Sequence, residues 1–174
     1  MNLVDQFERA VVAAAATVER LPRDSRRIAA AVAGIAHDAR SISIAEPATL
    51  PLELFGACLH LPGVSTGHTK REFAGIEVGV TEAFAGVART GSVCVCVDEG
   101  YSGYASLLVR IHIAVLATET IVERPSDLFR PEGLGREGLR RNFVFVTGPS
   151  ATADMGPLVR GVHGPHRLHI IILE

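Results

Sequence analysis

The run His169–Leu173, HIIIL, follows its opening histidine with four consecutive apolar residues. A strand with one wet face would alternate, and so short a run is no stable helix. The pattern therefore reads as a strand covered on both faces, which demands layers of structure on either side of a sheet. IEVGV (76–80), SVCVCV (92–97), IHIAVLA (111–117) and NFVFVTG (142–148) share its β-rich character.

Helical patterns supply the covering layers. NLVDQFERAVVAAAATVERL (2–21) places Leu3, Phe7, Val11, Ala14 and Val18 on one stripe behind Asn2 as cap, predicting a helix that ends before Pro22. DSRRIAAAVAGIA repeats the spacing through Ile28, Val32 and Ile35, capped by Asp24 or Ser25. SISIAE reads as a short strand, PLELFGACLHLPG as a helical turn between prolines, and 63–75 carries no assignment. IEVGV is expected to hand over at Thr81 to a helix through EAFAGVA, with Thr81 as cap and Glu82 in its positive first turn. DEGYSGYASLL is too short for a crossover helix, so SVCVCV and IHIAVLA are expected to pair antiparallel. PSDLFRPEGLGREGL is expected to be partly helical, capped by Ser126. The sum is an α/β fold with a mainly parallel sheet flanked by helices and one antiparallel hairpin. It forms a single domain over 1–174, with a helical part at 1–40 and the sheet core at 41–174.

Composition narrows the partners. Lys and Arg number 17 against 19 Asp and Glu, a net charge of -2, and no basic stripe interleaves with aromatics, which argues against a nucleic-acid binder. The apolar run Ala10–Val18 is too short to span a bilayer, and cytoplasmic placement is the expectation. The three cysteines form no CxxC pair, and reduced core thiols are the expected state.

Chemistry concentrates in the loops. In TGPSATAD, Gly148 permits close backbone approach, while Thr147, Ser150, Thr152 and Asp154 offer side-chain oxygens for an anion or for the turn's own backbone. His163, His166 and His169 recur every third residue, but Gly164-Pro165 breaks any common face and argues against a metal site. His163 remains a candidate acid or base alongside Asp154, or a structural histidine. His112 lies within a strand pattern, where a satisfied structural role is usual. Ligands in open α/β sheets sit at the carboxyl ends of strands. Thr81, the turn Arg89-Thr90-Gly91 and Thr147–Ser150 are expected to meet there if the strands run appropriately.

VGVTEAFAGVARTGSVCV, SLLVRIHIAVL and TGPSATADMGPLVRGVHGPHRLHIIIL resemble, in order, the signature blocks of the LUD domain family, specifically its LutC-type (YkgG-like) lactate-utilization members. The resemblance covers roughly Val78 to the C-terminus. It implies a fold like the sugar-phosphate isomerases and CoA transferases (NagB/RpiA-like) and a part in oxidising L-lactate to pyruvate beside iron-sulfur partner subunits. This chain is then expected to carry no cofactor of its own. The candidate ligand-binding set is Thr81, Glu82, Arg89, Thr90, Gly91, Ser92, His112, Thr147, Gly148, Ser150, Thr152, Asp154, His163 and Gly164, for a small anion. Two departures stand out: Arg89 replaces the usual acid of A-E-T-G, and Val109 the proline of L-L-P. The competing readings are a non-catalytic subunit that docks the iron-sulfur partners, and an isomerase- or ligase-like enzyme acting on a small phosphorylated metabolite. A homo-oligomer is also compatible with the sequence.

Overall fold

The computed structural model describes residues 2–65, 71–97, 101–130, 142–154 and 156–174. Helix α1 (Leu3–Ala13) starts where Asn2 accepts a hydrogen bond from Asp5 N–H at 2.8 Å, and it buries Phe7 and Val11. It stops well short of Pro22. Ala16 N–H donates to Val11 C=O and Ala15 N–H to Val12 C=O, a Schellman ending with Ala15 at φ +64°. Glycine usually fills that left-handed position, and alanine in its place hides the stop from a periodicity reading. The rest of the expected helix is strand β1 (Thr17–Leu21), so the segment 1–40 also contributes to the sheet. Arg20 ties β1 back to α1 through Asp5 and Glu8, both at 2.7 Å.

Helix α2 (Ser25–Ile35) is capped by Asp24, whose carboxylate accepts from Arg27 N–H at 2.9 Å. Strand β2 (Ile42–Ile44), a 3-10 helix at Leu52–His60 and strand β3 (Val64–Ser65) follow. Strand β4 (Val78–Ala83) runs straight through Thr81 and Glu82 into β5 (Ala85–Val87), correcting the expected helix and its Thr81 cap. Tertiary packing decides this: a Cβ on Gly86 would lie 2.7 Å from a Leu116 methyl and 3.1 Å from the Phe7 ring. Next come β6 (Ser92–Cys96), α3 (Ser102–Leu107), β7 (Ile111–Ala117) and β8 (Ile121–Val122). The turn Pro125–Phe129 is opened by Arg124 N–H donating to the Asp127 carboxylate at 2.9 Å, not by Ser126. The remainder of that expected helix, 131–139, lies outside the described residues. Strands β9 (Phe143–Val146), β10 (Ala151–Thr152), β11 (Val159–Arg160) and β12 (Arg167–Leu173) complete the chain.

The central sheet has the order β1-β12-β7-β4-β2-β3, parallel throughout. A second sheet, β8-β5-β6-β9, is mixed, and β10 and β11 form a small antiparallel pair. The expected β6–β7 hairpin does not form: β6 pairs with β5 and β9, while β7 pairs with β4 and β12. Helix α3 carries the chain between the sheets. It can do so because Gly79 of β4 has no side chain: a Cβ there would stand 1.8 Å from Ala105 C=O.

The alternation of β12 and β7 divides the interior. Leu168, Ile170, Ile172, Ala114 and Leu116 face α1 and the second sheet, packing with Phe7, Val11, Val93 and Val95. Ile171, Leu173, Ile113 and Val115 face α2 and the 3-10 helix, packing with Ile28, Val32 and Phe55. The HIIIL run is thus buried on both faces, as its pattern requires.

Candidate functional site

Two of the three expected groups, the 89–91 turn and the 147–150 loop, converge, but at the amino-terminal edge of the parallel sheet, and Thr81 does not join them. β4 and β9 belong to different sheets, so the condition for a shared carboxyl edge is not met. Thr90 and Gly91 N–H groups both reach back to Val87 C=O in a tight turn between β5 and β6. Thr90 Oγ1 lies 2.7 Å from Ser92 Oγ, which lies 2.6 Å from Thr147 Oγ1 at the end of β9. Ser92 is buried, and Thr90 and Thr147 are exposed at the two ends of this hydroxyl chain.

The two glycines beside the chain serve α1. Gly91 (φ +67°) has its Cβ position 2.5 Å from the Ala10 carbonyl carbon, and that of Gly148 (φ +66°) is 2.1 Å from Ala14 oxygen. Both positions need left-handed backbone and empty space, which only glycine supplies without strain. The close approach anticipated for Gly148 is made by the helix end.

Downstream, Ser150 N–H donates to Pro165 C=O and Gly161 N–H donates to Ser150 C=O, both at 2.9 Å. A Cβ on Gly164 would meet that of Ser150 at 3.1 Å and Leu107 oxygen of α3 at 3.7 Å. His166 and Arg167 N–H groups donate to Arg110 C=O, fastening the loop at the start of β7. Ala151–Thr152 pairs with Val159–Arg160. Arg89, Asp154 and His163 are exposed and make no side-chain hydrogen bond or ion pair among the described residues. Arg89 therefore lies on the surface, while Val109 is buried with Phe73, Ile76 and Ala105.

Thr81 and His112 form a separate buried pair, Thr81 Oγ1 to His112 Nε2 at 2.8 Å. Their strand positions put both on the face shared with α3 and the second sheet. Burial pushes the imidazole pKa down to about 3, so the ring is neutral at pH 7. Its Nδ1 is buried without a partner among the described residues. Glu82 points to the opposite face. Its carboxylate accepts hydrogen bonds from Thr49 and Leu50 N–H at 2.9 Å, and also from Ala48 N–H and the Thr49 hydroxyl. It clamps the loop ahead of the 3-10 helix.

The expected set therefore divides. Thr90, Ser92 and Thr147 meet; Ser150 and Gly164 pack together; Thr81 and His112 pair beneath α3; and Glu82 is on the far side of the sheet.

The LUD domain profile matches residues 52–173, seven-tenths of the chain and every motif loop just described. The chain belongs to the LUD domain family. Among its relatives, a Lactate utilization protein C from Halalkalibacterium halodurans is 34% identical over 102 residues, covering 56% of this chain and 44% of that protein. One from Shouchella clausii is 32% identical over 128 residues, covering 68% and 56%. A Lactate utilization protein B from Bacillus cytotoxicus is 29% identical over 108 residues, covering 62% and 22%. The alignments thus span about half or less of these curated relatives. The crystal structure of a duf162 family protein from Deinococcus radiodurans has the same fold, with a TM-score of 0.71 at 20% identity over 99% of this chain and 96% of that one. Among the described residues, no helix is long and apolar enough to cross a membrane.

Two arrangements escape a sequence reading. His169 is buried between Thr17 Oγ1 (2.7 Å from Nδ1) and Glu19 (3.0 Å from Nε2), with burial lowering its pKa and Glu19 opposing that. Only the pairing of β1 with β12 brings these groups together, and β1 was hidden inside a helical pattern. Arg110, Glu77 and Arg167 likewise gather because the starts of three non-consecutive strands are neighbours.

Proposed function

We propose that this LUD domain is a LutC-type component of L-lactate utilization and that the hydroxyl chain at the amino edge holds a small carboxylate. One observation carries the placement. Three hydroxyls linked by two hydrogen bonds leave one proton for an outside acceptor, and where Ser92 donates to Thr90 or Thr147, that exposed threonine presents it. Ser150, Thr152, Asp154 and His163 flank the same loop, with His163 and Asp154 as candidates for proton transfer. The naming of the relatives supports the pathway. Oxidation of L-lactate to pyruvate releases two electrons and two protons. Iron-sulfur partner subunits would take the electrons, and this chain is assigned no cofactor.

Calorimetric titration of L-lactate and pyruvate into the chain, alone and with Thr147→Ala or Ser150→Ala, tests the site. Saturable binding weakened by either substitution is expected. Absence of binding, or variants that bind like the parent, contradicts the placement.

The second reading, a non-catalytic subunit that docks the iron-sulfur partners, also has a structural basis. Leu158, Val159 and Val162 on and beside the β10–β11 hairpin are 60%, 52% and 54% exposed, and Leu108 is 57% exposed. Apolar side chains this exposed at a motif loop suit a protein interface. Capture of the purified partners that Leu158→Asp abolishes, together with no binding of lactate, would favour this reading.

A further inference from the structure

A cleft of about 210 Å³ opens at the amino edge of the sheet on the α2 side, away from the hydroxyl chain. Its apolar floor is Ile35 and Ile111, and its polar wall is His37, Asp38, Glu77, Arg110, His166 and Arg167. This volume is below the roughly 300–1,000 Å³ of drug-sized pockets and suits a small metabolite.

Each of the wall's two acids has one partner on the α2 side, and both keep their negative charge. Glu77 Oε2 accepts from Arg40 N–H at 2.6 Å, and Asp38 Oδ2 lies 2.8 Å from His37 Nε2. His37 Nδ1 in turn sits 3.1 Å from Gly34 oxygen at the end of α2. Neither of the wall's arginines bonds a carboxylate through its guanidinium among the described residues. Their backbones are nonetheless held on a rigid frame. Arg110 immediately precedes β7, Arg167 opens β12, and Arg110 C=O accepts N–H bonds from both His166 and Arg167. The His166 ring packs over Gly161, where a Cβ would come within 2.2 Å of it.

We propose that this cleft is a second, separate site for a small oxyanion, a carboxylate or a phosphate monoester, held by Arg110 and Arg167 with His166 at its rim. Guanidinium groups offer planar paired donors that match carboxylate and phosphate oxygens, and two on adjacent strands can grip one anion from two sides. The assignment uses none of the hydroxyl-chain residues and stands independently of the lactate reading.

The test titrates inorganic phosphate, succinate and L-lactate into the full chain, observed by calorimetry and by nuclear magnetic resonance shifts of residues 110 and 166–167. At least one anion should bind saturably and shift these signals. Arg110→Gln and Arg167→Gln should each weaken it by about 10-fold, as loss of a charge-assisted hydrogen-bonded pair does. The Tm should stay within about 2 °C, as for a surface substitution. Thr147→Ala should leave this binding intact. Read at the signals of residues 110 and 166–167, a response to phosphate without one to succinate or lactate supports the site and assigns it to phosphorylated ligands, and the converse assigns it to carboxylates. The proposal is overturned if no anion shifts the signals of residues 110 and 166–167, or if that binding persists undiminished in both arginine variants.

Discussion

Gly148→Ala separates two roles for the motif glycine. In the structure this residue has φ +66° and sits under the end of α1, with the Cβ position 2.1 Å from Ala14 oxygen. An L side chain there incurs about 1–2 kcal/mol of left-handed backbone strain. The clash is with a backbone carbonyl, which cannot rotate aside as a side chain would, and overpacking of this kind costs about 1–3 kcal/mol more. The total is roughly 2–5 kcal/mol, and at ~2–4 °C per kcal/mol for a chain of this size the Tm should fall by about 4–20 °C. Gly75→Ala provides the control: nothing lies within 4 Å of its Cβ position, and its Tm should move by less than ~2 °C. Thermal unfolding by circular dichroism, with hydrogen exchange at residues 10–16, reads both effects. If Gly148→Ala leaves the Tm and the α1 amides unchanged, the glycine does not seat the helix.

Ala15→Gly should raise stability by about 1 kcal/mol, since Ala15 occupies the left-handed position of the Schellman ending, and urea unfolding measures it. Glu82→Gln places an amide donor where four donors converge; it should cost about 3 kcal/mol and speed hydrogen exchange at residues 48–50. His112 gives a pH signature. Its folded pKa of about 3 lies below the unfolded value near 6.5, so the unfolded state takes up the proton first as pH falls. The stability of the parent relative to His112→Gln should therefore decrease by about 2 kcal/mol between pH 7 and pH 5, a change that unfolding at both pH values would detect.

Legibility followed the range of the interactions that decide each element. Both helix starts were readable because Asn2 and Asp24 cap within three residues, and the buried strands because β7 and β12 are apolar on both faces. Boundaries set by tertiary contact were not. Ala15 ends α1 with a residue that carries no stop signal, and Gly79 and Gly86 admit neighbours remote in sequence, converting an expected helix to strand and an expected hairpin to a crossover. The motif loops were identifiable from their residue types, and Thr90, Ser92 and Thr147 do meet. Their edge was not, because it depends on which sheet receives β9. The Arg110–Arg167 cleft left no local pattern, since strand order alone makes those residues neighbours.

The role in L-lactate oxidation with iron-sulfur partners proposed for this domain predicts electron transfer that depends on the chain. The most direct measurement mixes L-lactate with the purified partner subunits and follows bleaching of the cluster absorbance with and without this chain. Lactate-dependent reduction that requires the chain, and that is slowed by Thr147→Ala, is the predicted result. Reduction at the same rate without the chain would show that the domain takes no part in the oxidation.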